Sequence, residues 1–319
     1  MPDVLVLAIG LAVLVVGGEV LVRGATATAA AAGLSPMIIG LTLVGFGTSS
    51  PELVTSLTAA YQGAPDIIAG NVVGSNTANV LLILATAALI SPLAVEPRSF
   101  KREGSMVAFA TLIAVVLTLV GGVGRITGLA MLVLLIAYLV YVVRVERAQP
   151  DAEGAAAELL VEDLPSVSTG IWGGIALTVV GIGLTIGGAR FMIDGAIGIA
   201  ETIGISDVVI GLTIVALGTS APELVTSIIA ALKGHAEVAL GNVIGSNLFN
   251  ILFIFGTTAV VTPFDIPSTL ASRDIWVMAG ATLLMLVVAR NGFKIHRWEG
   301  ALMLTLYIGY VSWLVATAL

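Results

Sequence analysis

The chain has 319 residues, of which 58% are hydrophobic and only 10% are charged, and its formal net charge is −7. Soluble globular proteins carry about 25% charged residues, so this composition excludes a soluble domain and indicates an integral membrane protein. The absence of cysteine excludes disulfides, thiolate metal sites and cysteine catalysis. Zinc and haem sites are not expected from two histidines in polar connections, and the charge gives no indication of nucleic-acid binding.

Ten apolar stretches are long enough to cross a membrane, which takes about 20 residues per helix. Their glycine-rich sequences do not alternate between apolar and polar residues as the strands of a membrane barrel do. The first stretch has no basic segment before it, so we interpret it as a retained span and not as a cleaved signal peptide. The predicted spans cover about residues 3–23, 36–60, 66–91, 104–121, 124–143, 170–199, 207–232, 237–262, 274–290 and 299–318.

The first and sixth spans each contain two opposite charges four residues apart. Glu19 precedes Arg23 in the first span, and Arg190 precedes Asp194 at the aligned positions of the sixth. Residues four apart are neighbours on a helix surface, so we expect each pair to form a structural ion pair.

The second span contains the motif Gly-Thr-Ser-Ser-Pro-Glu-Leu-Val-Thr-Ser at residues 47–56. Pro51 removes a backbone donor, so the helix is expected to break or kink there. Ser49 and Glu52 have the spacing of a capping box, which predicts the start of a new helix. The positive end of that helix favours an ionised Glu52, and a carboxylate inside an apolar span marks an ion or proton site by default. Thr55 and Ser56 are expected to bond back to their own helix.

The third span adds further oxygen atoms on one helix face. Asn71, Ser75 and Asn79 follow one another at intervals of four residues within the string Gly-Asn-Val-Val-Gly-Ser-Asn-Thr-Ala-Asn. Side chains at this spacing lie on the same side of a helix. This face can therefore supply ligands to the same site as Glu52. Packing between helices is an equal alternative for Asn71 and Asn76, and for Asn242 and Asn247 in the second half of the chain.

Both strings return in the second half of the chain. Residues 39–92 and 210–263 align without gaps and are identical at more than half of the aligned positions, and Glu223 takes the place of Glu52. Each half then has five spans, an odd number, so the second half must enter the membrane from the opposite side. We expect a first repeat at 1–143, a linker at 144–169 and a second repeat at 170–319.

The connections carry basic residues unevenly. Ten lysines and arginines fall on one side of the membrane and two on the other, with Arg190 inside a span. The richer side is expected to be cytoplasmic, which places both termini outside the cell. The linker at 144–169 is then cytoplasmic, and we expect its acidic residues to be solvated and not to bind a cation.

The two copies together supply two carboxylates and several hydroxyls and amides. Ca²⁺ commonly takes about six to eight oxygen ligands, so these groups suffice for a hard cation such as Ca²⁺ or Na⁺. The lack of thiolates and imidazoles argues against Zn²⁺ and Cu⁺. Two carboxylates in a medium of low dielectric constant repel each other, so either one Ca²⁺ or several Na⁺ ions are expected to neutralise them in competition.

The duplicated strings resemble the alpha-1 and alpha-2 repeats of the Ca²⁺/cation antiporter superfamily, in particular its prokaryotic sodium/calcium exchanger branch. The resemblance implies an all-α integral membrane protein with ten transmembrane helices in two inverted five-helix repeats and broken helices at the ion site. It also implies electrogenic exchange of Na⁺ for Ca²⁺ by alternating access in the cell (inner) membrane, in which the first and sixth spans slide across the core. No cofactor and no obligate protein partner are implied.

The same resemblance assigns roles to individual residues. Glu52 and Glu223 would coordinate Ca²⁺ with the carbonyls of Thr48 and Thr219. The flanking Na⁺ sites would use Ser49, Ser75, Ser220 and Ser246 with the carbonyls of Gly45 and Ala216, and the side chains that face the centre would be Asn79 and Asn250. This chain departs from a familiar prokaryotic pattern because Asn250 stands where that pattern has aspartate.

Three other functions are compatible with a polar site inside a membrane. A Ca²⁺(cation)/H⁺ antiporter on the same scaffold would use the glutamates as proton carriers. A channel usually repeats one element around an axis, which a single inverted pair does not do. An intramembrane protease would need a serine–histidine pair or two aspartates at membrane depth, which the spans do not contain, so we do not expect an enzyme.

Overall fold

The structure is a computed structural model that describes residues 3–147, 170–202, 216–268 and 270–318. The described chain is helical apart from turns and four two-residue strands. The helices are α1 Asp3–Ala32, α2 Pro36–Thr48, α3 Ser50–Tyr61, α4 Pro65–Ile90, α5 Pro97–Val120, α6 Arg125–Arg147, α7 Ile171–Thr202, α8 Ala216–Thr219, α9 Ala221–Leu232, α10 Ala236–Val261, α11 Leu270–Arg290 and α12 Arg297–Ala318. The strands are β1 Leu93–Ala94, β2 Gly122–Val123, β3 Phe264–Asp265 and β4 Lys294–Ile295.

Nine of the ten predicted spans lie wholly within the described residues. Eight are single helices long and apolar enough to cross a membrane, and the ninth is the bent pair α2–α3. The remaining span, the seventh in chain order at 207–232, is represented by α8 and α9, because its first part falls outside the described residues. The linker at 144–169 also falls outside the described residues, apart from Arg144–Arg147. These residues continue α6 beyond the predicted end of the fifth span.

Helix α1 is longer than the predicted span at 3–23. Arg23 does not end the helix because its guanidinium is 2.6 Å from the carboxylate of Glu19, one turn earlier. The chain continues as helix through Ala32 and stops at Gly33, whose φ of 62° is accessible to glycine at little cost. In α7 the corresponding Arg190 and Asp194 do not pair with each other, so that prediction was wrong. Their order, with the cation first, is the weaker one on a helix.

Helices α1 and α7 lie against each other along their whole length through a regular set of glycines. A Cβ at Gly10 would be 2.3 Å from the backbone N of Met192, and one at Gly24 would be 2.3 Å from that of Thr178. The other helix presents Gly181, where a Cβ would be 2.4 Å from the backbone N of Leu21. Only glycine allows the two backbones this close. The contacts also show that the aligned helices α1 and α7 are antiparallel.

The four short strands independently establish that the two halves are inverted. β1 pairs with β4, and β2 pairs with β3. In the alignment that places Glu223 on Glu52, however, β1 corresponds to β3, and β2 corresponds to β4 within one residue. Strands that hydrogen-bond lie on the same side of a membrane, so corresponding connections of the two halves lie on opposite sides. The predicted inverted repeat is confirmed.

Helices α4 and α10 occupy the centre of the fold. Of an apolar stretch of 18 residues in α10, 94% of the residues are buried inside the protein. The buried share of the equivalent stretch is 28% in α1 and 28% in α7. The core is therefore built around α4 and α10, and the α1–α7 pair lies at its edge. The one ion pair in the described chain that joins this pair to the core is between Glu19 and Lys233, at 2.5 Å.

One carboxylate from the predicted linker has a structural role. Glu146 is buried, accepts a hydrogen bond from the backbone N–H of Ser35 at 3.0 Å, and lies 3.3 Å from the guanidinium of Arg102. It therefore joins the end of α6 to the start of α2 and to α5. The expectation of a solvated side chain was wrong for this residue, because α6 carries it inward to the turn between α1 and α2.

Candidate cation site between the two halves

The predicted helix breaks are present in both copies of the motif. α2 and α3 meet at Ser49 with a bend of 42°, and α8 and α9 meet at the corresponding Ser220. The proline after each break has no N–H to donate to the carbonyl one turn earlier. Glu52 and Glu223 occupy the first turns of the new helices, where the helix dipole favours a negative charge.

The capping boxes expected from the sequence do not form. Neither Ser49 nor Ser220 caps its own helix with its side chain. The Ser49 hydroxyl instead donates to Glu223 Oε1 at 3.5 Å, and the Ser220 hydroxyl donates to Glu52 Oε1 at 3.4 Å. Each serine thus bonds the glutamate of the opposite half, since the two bends face each other. The two acids therefore lie together, as the sequence predicts.

Two asparagines hold the glutamate-bearing helices in place. The Asn71 side-chain amide donates to the carbonyl of Glu52 at 3.0 Å and to the hydroxyl of Ser56 at 2.9 Å. Asn242 makes the same two bonds in the second half, to Glu223 and to Ser227. These asparagines join helices, as the packing alternative predicted. Ser56 was expected to bond back to its own helix, but its hydroxyl accepts a bond from Asn71 instead, and the Ser227 hydroxyl accepts the equivalent bond from Asn242.

The central amides lie where α4 and α10 depart from regular α-helix. Asn79 begins a π-helical turn at Asn79–Leu84, and Asn250 belongs to the equivalent turn Phe249–Ile254. Such turns are frequent at functional sites. The Asn79 amide donates to Asn247 Oδ1 at 3.0 Å, which joins the two halves.

The site is almost completely buried and contains oxygen atoms without hydrogen-bond partners. Glu52 and Glu223 are 1% and 2% exposed. Within the described chain, the atoms that lack a partner include Oε2 of both glutamates, Oδ1 of Asn79 and Asn250, and the hydroxyl of Ser246. A buried polar oxygen without a partner is energetically costly, and a cation bound to these oxygens would remove that cost.

The remaining predicted residues lie on the same elements. Thr48 and Ser75 are buried, and Gly45 packs on α10, where a Cβ would be 3.1 Å from the backbone N of Ser246. Ala216 and Thr219 begin and end α8. Thr48 and Thr219 are thus the last residues of half-helices, whose final carbonyls carry partial negative charge.

Within the described ranges, no group of three or more acidic, histidine or cysteine side chains is placed to hold a metal ion. A cation held by the two glutamates would take its other ligands there from neutral oxygens.

Two contacts of the site are not predicted by the sequence. Asn247 was considered for packing between helices, but the sequence did not indicate that it accepts the bond from Asn79 across the halves. The Thr48 side chain, expected to contribute only its carbonyl, donates to Asn242 Oδ1 at 3.3 Å. The repeated spacing in the two copies singled out Asn242 and Asn247 as candidate residues, but it could not indicate which side chains they bond.

Comparison with known families gives a match over nearly the whole chain. The family described as "Sodium/calcium exchanger protein" matches residues 3–144 and 173–316. The chain is 34% identical to the sodium/calcium exchanger MaX1 of Methanosarcina acetivorans, over 96% of this chain and 97% of that protein. It is 33% identical to the inner membrane protein YrbG of Escherichia coli, over 97% and 94%.

Comparison with solved structures gives the same result. A structure of the sodium-calcium exchanger NCX_Mj superimposes with a TM-score of 0.82 at 32% sequence identity. The match covers 98% of this chain and 99% of that one. The all-α membrane fold expected from the resemblance is therefore confirmed.

Proposed function

The chain belongs to the sodium/calcium exchanger protein family and is a membrane antiporter of Ca²⁺ and other cations, and we propose that it exchanges Na⁺ for Ca²⁺ at the site of Glu52 and Glu223. The observation that carries this proposal is the reciprocal bonding of each glutamate to the serine of the opposite half. It brings two carboxylates together at the centre of the molecule. Each carboxylate keeps one oxygen without a partner among the described residues.

The charge of the site supports competition between the two ions. Two ionised carboxylates inside a low-dielectric core repel each other strongly when no cation is bound. One Ca²⁺ compensates both charges, and Na⁺ ions do so in greater number. We propose that the loaded forms change conformation readily and that the empty form does not, because the uncompensated charges of the two glutamates are unfavourable in surroundings of low dielectric constant. Exchange follows when both ions require the same glutamates.

The architecture provides a moving part for alternating access. The α1–α7 pair is joined along its length by backbone contacts at glycine, while one ion pair connects it to the core in the described chain. We propose that the pair moves as one unit across the core and exposes the site to each side in turn.

The coupling ion is tested by the gradient that drives Ca²⁺ uptake. In liposomes containing the purified protein, an outward Na⁺ gradient is expected to drive accumulation of radiolabelled Ca²⁺. An outward K⁺ gradient or a pH gradient of equal size is expected to drive little. Uptake driven by the pH gradient without Na⁺ would overturn the proposal and support a Ca²⁺/H⁺ antiporter on the same scaffold.

We propose the orientation in which both termini lie outside and the segment 144–169 is cytoplasmic. The ten-to-two distribution of basic residues supports it. Because the chain has no cysteine, single cysteines can report each side. In intact cells, an impermeant maleimide is expected to label Gly121→Cys and to leave Gly234→Cys unlabelled until the cells are opened. The reverse pattern would show the opposite orientation.

A further inference from the structure

We infer that a groove between α5 and α11 binds the headgroup of an anionic phospholipid. The groove has a volume of about 380 Å³. It lies beside the β1–β4 pair, between the start of α5 and the end of α11. Lys101 near the start of α5 and Arg290 at the end of α11 line it. Its other walls include Phe100, Leu286 and Phe293.

The two basic side chains are available to a ligand. Lys101 and Arg290 are exposed, and neither side chain makes an ion pair or hydrogen bond to any residue that the structure describes. Their neighbours Arg102 and Arg297 are both engaged, the first with Glu103 and Glu146 and the second with the carbonyl of Ile90. The groove therefore carries two uncompensated positive charges.

The apolar wall is held in position by the backbone. Phe293 is the one non-glycine residue with positive φ among the described residues, at 51°, and its carbonyl accepts a hydrogen bond from Val95 at 3.0 Å. This bond to the connection that contains β1 places the phenylalanine against the groove. Cations at the water-facing end and apolar walls along the helices match a phosphate headgroup followed by acyl chains.

The duplicated half provides an internal comparison. In the alignment of the two halves, Lys101 corresponds to Ser272, Arg290 to Leu119 and Gly104 to Ile275. Ile275 is completely buried, and Gly104 is buried against Leu286 and Phe100 of the groove wall, where a Cβ would be 3.0 Å from the Leu286 side chain. The second copy thus has neither cation and has a large side chain in place of the glycine. The basic groove is consequently a property of one side of the molecule and not of the repeat packing in general.

Short-chain lipids test this inference without any transport assay. The probes are dioctanoyl phosphatidylglycerol, dioctanoyl phosphatidylcholine and inorganic phosphate, each added to the purified full-length protein and measured by native mass spectrometry and by melting temperature. We expect one tightly held phosphatidylglycerol per chain and an increase in melting temperature with that lipid alone. In the double variant Lys101→Gln/Arg290→Gln, its dissociation constant is expected to rise roughly 30-fold, because two basic contacts are lost.

A matched variant separates the groove from general surface charge. Arg98→Gln/Lys294→Gln removes two exposed basic residues at the same end of the molecule but outside the groove, and it is expected to bind phosphatidylglycerol as the unchanged protein does. Gly104→Ile places the side chain of the second copy in the groove, and it is expected to weaken binding with both cations present. Equal weakening in the two charge variants would overturn the inference. So would stabilisation by inorganic phosphate alone or by phosphatidylcholine to the same extent.

Discussion

Replacement of either Glu52 or Glu223 by glutamine is expected to reduce Na⁺-driven Ca²⁺ uptake by about 100-fold or more. Removal of one partner from a buried charged interaction typically costs about 3–5 kcal/mol, which corresponds to a loss of this size. Glutamine preserves the shape of the side chain and an oxygen that can accept the serine hydroxyl, so the change is mainly one of charge. The measurement is the initial rate of radiolabelled Ca²⁺ uptake into liposomes at equal protein content.

The control for these variants is another buried glutamate. Glu299 is 1% exposed, and its carboxylate accepts the backbone N–H of His296 at 2.7 Å near the start of α12. The amide oxygen of Glu299→Gln can accept the same bond, so this variant is expected to transport at close to the original rate. Undiminished uptake in both Glu52→Gln and Glu223→Gln would refute a shared site.

The second large effect is expected from a single methyl group between α1 and α7. In Gly181→Ala the new Cβ would lie 2.4 Å from the backbone N of Leu21 and 2.5 Å from its Cα. Real Cβ atoms essentially never approach another heavy atom closer than 3.0 Å, so the helices must separate. Overpacking of this kind costs about 1–3 kcal/mol. We expect a lower melting temperature, measured by tryptophan fluorescence during heating.

Another glycine of α7 gives the opposite expectation. Gly183 is exposed, and outside its own stretch of helix no described atom lies within 4 Å of its Cβ position. Alanine is favoured over glycine in a helix by about 1 kcal/mol, so Gly183→Ala is expected to be neutral or slightly stabilising. The two variants thus make the same chemical change with opposite signs. A decrease in melting temperature of the same size in both would show that the close approach of the helices does not limit stability.

Much of the fold could be predicted from local sequence because the controlling features are local. Apolar runs of span length set the helices, and Pro51 and Pro222 set the breaks. The internal identity between the halves predicted the inverted repeat, and it singled out Glu52 and Glu223. The end of α1 was placed too early because Arg23 resembles a span boundary. Its neutralisation by Glu19, one turn away, allows the helix to continue to Gly33.

The capping-box prediction failed for a different reason. The spacing of Ser49 and Glu52 is correct for a local cap, and the sequence contains no signal that another partner is nearer. In the folded chain each serine hydroxyl meets the glutamate of the opposite half. The two residues that form each of these bonds lie in different halves of the chain, so only the packing of the two halves could select the partner.

The sequence by itself determined that this is a duplicated membrane protein with an acidic residue at the break of each half. It did so because hydropathy, proline and internal identity act through neighbouring residues or simple repetition. The tertiary structure alone decided which groups meet. It set the antiparallel contact of glycines in α1 and α7. It also set the hydrogen bonds from each serine to the glutamate of the opposite half and the hydrogen bond from the Asn79 amide to Asn247. These contacts depend on how two inverted halves dock, and docking is governed by the shape and packing of whole helices.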